Sequence, residues 1–101
     1  MESSKEIRYQ VILTASAWVS VDELLEYLGE YYSVNRSEEI VDLLFEYAAT
    51  LQEKPERGTK EKMLIYRKED YRFILFKRTN RSEIKIIYYI DESAKIVYVT
   101  D

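Results

Sequence analysis

Around Pro55 the spacing of apolar residues changes from steps of three and four to steps of two, and that change limits the folds open to this 101-residue chain. Upstream, Trp18, Val21, Leu24, Leu25, Leu28, Tyr31 and Tyr32 recur at helical spacing, with Asp22, Glu23, Glu26 and Glu30 between them. Side chains three and four apart share one face of a helix, so this stretch predicts an amphipathic helix starting between Ser16 and Ser20. Ser20 with Glu23 has the spacing of a capping box. A second stripe, Ile40, Val41, Leu44, Phe45, Ala48 and Leu51, predicts a helix from Asn35 or Ser37 to Glu53, with Glu38, Glu39, Asp42 and Glu46 on its wet side. Pro55 ends it, because proline lacks the amide proton a helix interior needs, and Glu56-Arg57-Gly58 supply a turn.

Strand patterns flank the helices. Ile7, Tyr9, Val11 and Leu13 alternate within Ile7–Thr14, which reads as an opening strand rich in β-branched and aromatic residues. Beyond the turn, strands are expected at Lys62–Arg67, Tyr71–Arg78, Ile84–Ile90 and Lys95–Thr100, separated by turn-prone segments of hairpin length. The predicted order is β-α-α-β-β-β-β: one α+β domain over residues 1–101, a mainly antiparallel sheet with a helical hairpin on one face.

Composition narrows the chemistry. The chain has no cysteine and no histidine, which removes disulfides, a thiol nucleophile, an imidazole base and the usual zinc ligand sets. No cofactor and no metal site are expected; acidic residues such as Glu38, Glu39 and Asp42 read as solubilising charge. No apolar run approaches 18 residues, so neither a membrane span nor a signal peptide is expected, and a cytoplasmic location is the default. The net charge of −4 is unevenly spread. Residues 1–58 carry 5 Lys/Arg against 12 Asp/Glu, a balance of −7, whereas residues 59–101 carry 10 against 7, a balance of +3. A polyanion would therefore meet the C-terminal half.

In the strand Tyr71–Arg78 both parities are apolar. If Tyr71, Phe73 and Leu75 face the helices, then Arg72, Ile74, Phe76 and Arg78 face away, because successive side chains alternate across a sheet. On that reading Ile74 and Phe76, joined by Ile87 and Tyr89, form an apolar outward surface suited to a protein partner.

The opening strand, the two helices, the Pro55-Glu56-Arg57-Gly58 turn, and the run from Tyr66 to Phe76 with Tyr71-Arg72 directly after a tight turn resemble the RelE/ParE toxin superfamily. The strand Ile84-Lys85-Ile86-Ile87-Tyr88-Tyr89-Ile90 fits as the one that follows, and the likeness covers nearly the whole chain. The resemblance implies the toxin component of a type II toxin–antitoxin system, neutralised by a cognate antitoxin that wraps the sheet. It implies one of two targets: the ribosome and its mRNA, cleaved in the RelE-like branch as a metal-independent endoribonuclease, or DNA gyrase, inhibited in the ParE-like branch.

On the nuclease reading, Arg72 matches a family catalytic arginine. Lys62, Arg67 and Arg78 become the RNA-binding cations, since a transition state rich in phosphate charge needs them. Ile74 and Phe76 become the antitoxin-binding residues. The sequence departs from the nuclease pattern in two places. Met63 and Ile65 fall where basic residues are expected, and the strand ending at Thr100 is followed by no counterpart of the family's tail, so that either the proton-transfer group is absent or a residue such as Tyr98 replaces it. A second reading, a non-catalytic gyrase inhibitor or a degenerate toxin that only binds its antitoxin, follows from those departures. A third reading makes Arg72 an ordinary strand arginine paired with Glu69 or Asp70.

Overall fold

The computed structural model describes residues 8–64, 66–79 and 82–101. Strand β1 (Gln10–Leu13) leads into α1 (Ala15–Gly29) and α2 (Val34–Ala49), followed by β2 (Thr59–Lys60), β3 (Asp70–Thr79), β4 (Ser82–Asp91) and β5 (Ile96–Val99). These five strands form one sheet in the order β1-β5-β4-β3-β2. β1 runs parallel to β5 and the other neighbours are antiparallel, so the fold is α+β with a mixed sheet. No helix among the described residues is long and apolar enough to cross a membrane.

Both helices begin one to several residues earlier than the apolar stripes alone suggest, because the caps lie upstream of them. Thr14 is extended and its hydroxyl oxygen accepts from the Ala17 amide at 3.3 Å, while the same hydroxyl donates to the Val99 carbonyl at 3.1 Å. One threonine thus satisfies an orphan amide of α1 and fixes the helix start to the end of β5. Ser33 does the equivalent for α2, accepting from Arg36 N at 3.1 Å. At its other end α2 tightens into a 3-10 turn, Thr50–Gln52, instead of running on to Glu53. Arg57 donates to the Thr50 carbonyl and hydroxyl at 3.3 and 2.6 Å, supplying the partners that a helix C-terminus lacks. Pro55 opens a further short turn, Pro55–Arg57, which carries the chain back to the sheet.

The expected strand at Lys62–Arg67 is not formed. β2 lies earlier and is two residues long, and Lys62–Leu64 is a 3-10 turn; Ile65 falls outside the described residues. Ile7 of the expected opening strand also lies outside them.

The core fills the space between the helices and one face of the sheet. Ala17, Leu44, Ala48 and Leu51 from the helical half meet Ile74, Ile86, Tyr88, Ile90, Val97 and Val99 from the strands. Tyr88, Leu51 and Val97 are fully buried. Each such side chain contributes about 1.5–3 kcal/mol through removal of apolar surface from water. Leu28, Ile40 and Val41 form a smaller cluster that clamps α1 to α2. Trp18, read as part of the buried stripe, remains half exposed and meets Phe45 edge-on at 5.8 Å.

The face assignment of β3 is the reverse of the sequence expectation. Ile74 is buried in the core, and Phe76 packs against it with its ring 5.7 Å from that of Tyr47 on α2. Leu75 is 42% exposed. The physical reason is register: Ile74 pairs with Ile86 and Phe76 with Ile84, so the even positions of both strands share the helix-facing side. Tyr71, Phe73 and Leu75 therefore point away from the helices. Ile87 and Tyr89 do face outward as expected, but without Ile74 and Phe76.

Candidate functional site

Arg72 sits on the helix-facing side of β3, under the turn that precedes β2. Its Nη1 donates to the carbonyls of Glu56 and Gly58 at 2.7 and 3.1 Å, and its Nε lies 3.2 Å from Asp70 Oδ2. Only 17% of the side chain is exposed. Lys60 Nζ forms a second ion pair with Asp70, 3.1 Å from its Oδ1. Burial disfavours the Asp70 carboxylate, but hydrogen bonds from Lys60 and Arg72 outweigh it and hold the carboxyl below its ordinary range.

The neighbouring groups explain why the turn needs this arginine. The Tyr88 hydroxyl donates to the Pro55 carbonyl at 2.5 Å, inside the core. Gly58 passes so close that a Cβ there would run into the Tyr88 hydroxyl and come within 2.8 Å of the Phe73 carbonyl. Three carbonyls of residues 55–58 are thus satisfied from the sheet by Tyr88 and Arg72. Desolvation raises the Tyr88 pKa, keeping the phenol a donor. The pairing of Arg72 with Asp70 is the strand-arginine arrangement that the sequence also allowed.

Of the four cations proposed from the sequence, Arg78 is set well apart from Arg72. Arg78 lies on the same strand as Arg72 but six residues on, on the order of 20 Å away at about 3.3 Å per residue. Its guanidinium donates to the Tyr32 hydroxyl at 3.1 Å and to Ser82 Oγ at 2.8 Å. Lys62 is exposed on its 3-10 turn, and Arg67 is exposed with its guanidinium 5.8 Å from the Tyr66 ring centre. Among the described residues no group of three or more acidic, histidine or cysteine side chains is placed to hold a metal ion.

What the sheet does assemble is an aromatic row on its open face. Register places Ile12 beside Tyr98, Tyr98 beside Tyr89, and Tyr89 beside Tyr71, one residue from each of four strands. Tyr89 and Tyr98 stack at 5.1 Å with an interplanar angle of 28°, and Tyr71 leans on Tyr89 at 5.1 Å. Phe73 and Ile87 form the adjacent row, directly paired. Desolvation, followed by the neighbouring tyrosines, raises the Tyr89 pKa. Tyr98, the suggested proton-transfer substitute, is a member of this stack.

One corner of the open face is closed by a buried carboxylate. Glu61 is 5% exposed, receives the Met63 amide at 3.1 Å, and lies 2.5 Å from Lys85 Nζ. The ammonium also stands 4.4 Å from the Phe73 ring centre. The Lys85 hydrogen bond and then the Met63 amide lower the Glu61 pKa against the opposing effect of burial. Sequence reading missed this pair and the tyrosine row, because both depend on which strands become neighbours. Tyr71, Tyr89 and Tyr98, one on each of three expected strands, were the available signal.

No protein-family model, curated protein or solved structure matches the chain.

Proposed function

We propose that this chain is a toxin-fold module of the RelE/ParE type that acts by binding protein, with its antitoxin lying across the open face of the sheet. The observation that carries the reading is the contiguous outward surface of Tyr71, Phe73, Ile87, Tyr89 and Tyr98, on the side of the sheet opposite α1 and α2. Aromatic residues held rigid by their neighbours supply large contact area at small entropic cost, which is the chemistry of protein-binding hot spots. The order of elements supports the same reading, since an opening strand, a helical hairpin and a four-strand meander are what the resemblance implies.

The proposed antitoxin surface is made of the odd residues of β3 and β4 together with Tyr98 of β5, in place of Ile74 and Phe76. The non-catalytic form is the better of the two toxin readings. A transition-state cation must be free to meet phosphate. Arg72 is instead engaged by two backbone carbonyls and Asp70.

The test is co-purification with the product of the neighbouring small reading frame. Tyr89→Glu is expected to weaken that complex at least about tenfold, as for a buried aromatic anchor, while leaving the circular dichroism spectrum unchanged. Unchanged recovery with the Tyr89→Glu protein, or no complex with wild type, would overturn the reading. Codon-positioned mRNA cleavage that disappears in Arg72→Ala, under conditions where that variant is folded, would restore the nuclease. Inhibition of gyrase supercoiling without cleavage would place the module in the ParE-like branch.

A further inference from the structure

β2 covers only part of β3. It pairs Thr59 with Phe73 and Lys60 with Arg72, and the Glu61 amide donates to the Tyr71 carbonyl. In an antiparallel ladder the amide and carbonyl of a residue point to the same side and successive residues alternate. Odd residues of β3 therefore direct their backbone groups toward the β2 side, and even residues toward β4. Leu75 and Lys77 are odd, and β2 stops before reaching them because residues 55–57 turn away. Among the described residues, β2 pairs with β3 only at Phe73 and Arg72, so it offers no partner to Leu75 or Lys77, both of which precede the register shift between Lys77 and Thr79.

This unpaired edge borders a groove between β3 and α2. One depression of about 270 Å³ lies where β2 would have continued, beside Gly58, Thr59 and Leu75. A second of about 450 Å³ follows alongside Lys77 and Arg78, and Tyr47 lines both. The floor is apolar, formed by Ile40, Leu43, Tyr47 and Phe76, and Leu43 is 49% exposed. The rim is cationic: Arg36, Lys77 and Arg78 line it against the single carboxylate of Glu46, and Arg57 stands over the Tyr47 ring at 5.5 Å. Among the described residues, Lys77, Arg78 and Arg57 take part in no ion pair.

We infer that this edge is a strand-addition site for an extended, acidic segment of a partner protein, which lies end to end with β2 along Leu75–Lys77. Main-chain hydrogen bonds from the edge hold the segment, alternate side chains enter the α2 groove, and acidic residues meet the rim cations. An exposed edge with unpaired amides is a template for pairing, and the cations select among the strands that can use it. The site is distinct from the open face and does not depend on the reading proposed for that face.

The probe is a ten-residue peptide alternating glutamate with valine, compared with one alternating lysine with valine, each titrated into the isotopically labelled full chain. The acidic peptide is expected to bind and to slow amide exchange at Leu75 and Lys77, leaving Ile74 and Phe76, which already face β4, unchanged. Leu75→Pro removes the edge amide at a position where proline is tolerated, and is expected to weaken binding about tenfold or more. Lys77→Glu should lower the preference for the acidic peptide, and it decides the matter together with wild-type exchange if Leu75→Pro does not fold. No binding of the acidic peptide, equal binding of both peptides, or protection confined to another part of the sheet would overturn the proposal. Self-association of the chain that Leu75→Pro abolishes would also overturn it, by making a second copy the occupant.

Discussion

The ammonium of Lys85 lies 2.5 Å from the carboxylate of Glu61 and over the ring of Phe73, so one cation from β4 fastens the 61–64 turn to the open face of the sheet. Glu61 is buried and Lys85 is about half exposed. A carboxylate taken out of water needs such a partner, and removing the partner leaves a charge that neither water nor protein satisfies.

That pair and Asp70 make stability fall on acidification. Both carboxyls titrate lower in the folded chain than in the unfolded one, Glu61 through Lys85 and the Met63 amide, Asp70 through Lys60 and Arg72 against its burial. A depressed carboxyl lends stability that is complete above its unfolded pKa of about 4 and is lost as pH falls through the folded value. Urea midpoints measured from pH 7 down to pH 3 should therefore drop below pH about 4 to 5. Lys85→Met should raise the Glu61 pKa, read by carboxyl NMR, and flatten part of that drop. A Glu61 titration unmoved by Lys85→Met would show that the contact does not persist in solution.

Arg72 is expected to behave as a structural residue. Arg72→Ala leaves the Glu56 and Gly58 carbonyls without their donor and Asp70 with Lys60 alone, a loss of about 1–3 kcal/mol in chemical denaturation. Arg72→Lys should recover little of it, because an ammonium cannot reproduce the fork that reaches two carbonyls and a carboxylate together. A folding free energy unchanged in both variants would contradict the assigned contacts.

Gly58 and Tyr88 should be energetically coupled. Gly58→Ala places a methyl group against the Tyr88 hydroxyl and the Phe73 carbonyl, and is expected to cost about 1–3 kcal/mol as an overpacked site. Tyr88→Phe removes the hydroxyl, one of the two obstacles, along with its bond to Pro55. The double variant should therefore lose less than the two single losses combined. Strict additivity within about 0.5 kcal/mol would mean the turn shifts freely to accept the methyl group.

The two faces of β3 can be told apart by charge insertion. Phe76→Glu places a carboxylate against Tyr47 and the core edge and should destabilise the fold by about 2 kcal/mol or more. Phe73→Lys, on the open side, should cost less, and its loss should come from the Lys85 contact instead of the core. Thermal melts of both variants give the comparison; equal melting temperatures would return the strand to the opposite orientation.

Local rules legible in the sequence account for the elements of this fold. The three-and-four spacing of Leu24, Leu28, Ile40, Leu44 and Leu51 specifies two helices. The β-branched and aromatic runs after residue 70, broken by short turn-prone segments, specify hairpins, because both patterns are set by backbone geometry within a few residues. The absence of cysteine and histidine is likewise a property of the chain alone. What the sequence left undecided was the orientation of Phe73-Ile74-Leu75-Phe76, apolar at four consecutive positions and therefore without an alternation to read. Pairing with Ile84 and Ile86 on β4 settled it, a contact between separate strands. The same holds for the functional surfaces. Arg72 became a donor to Glu56 and Gly58 only when β2 came alongside β3. Tyr71, Tyr89 and Tyr98 became one row only when three strands took their register, and among the described residues Leu75 and Lys77 lie beyond the reach of β2 only because it ended short. Periodicity fixes which residues share a face within an element; which faces meet, and which edges stay open, is set by pairing energies between segments distant in the chain, which only the tertiary structure contains.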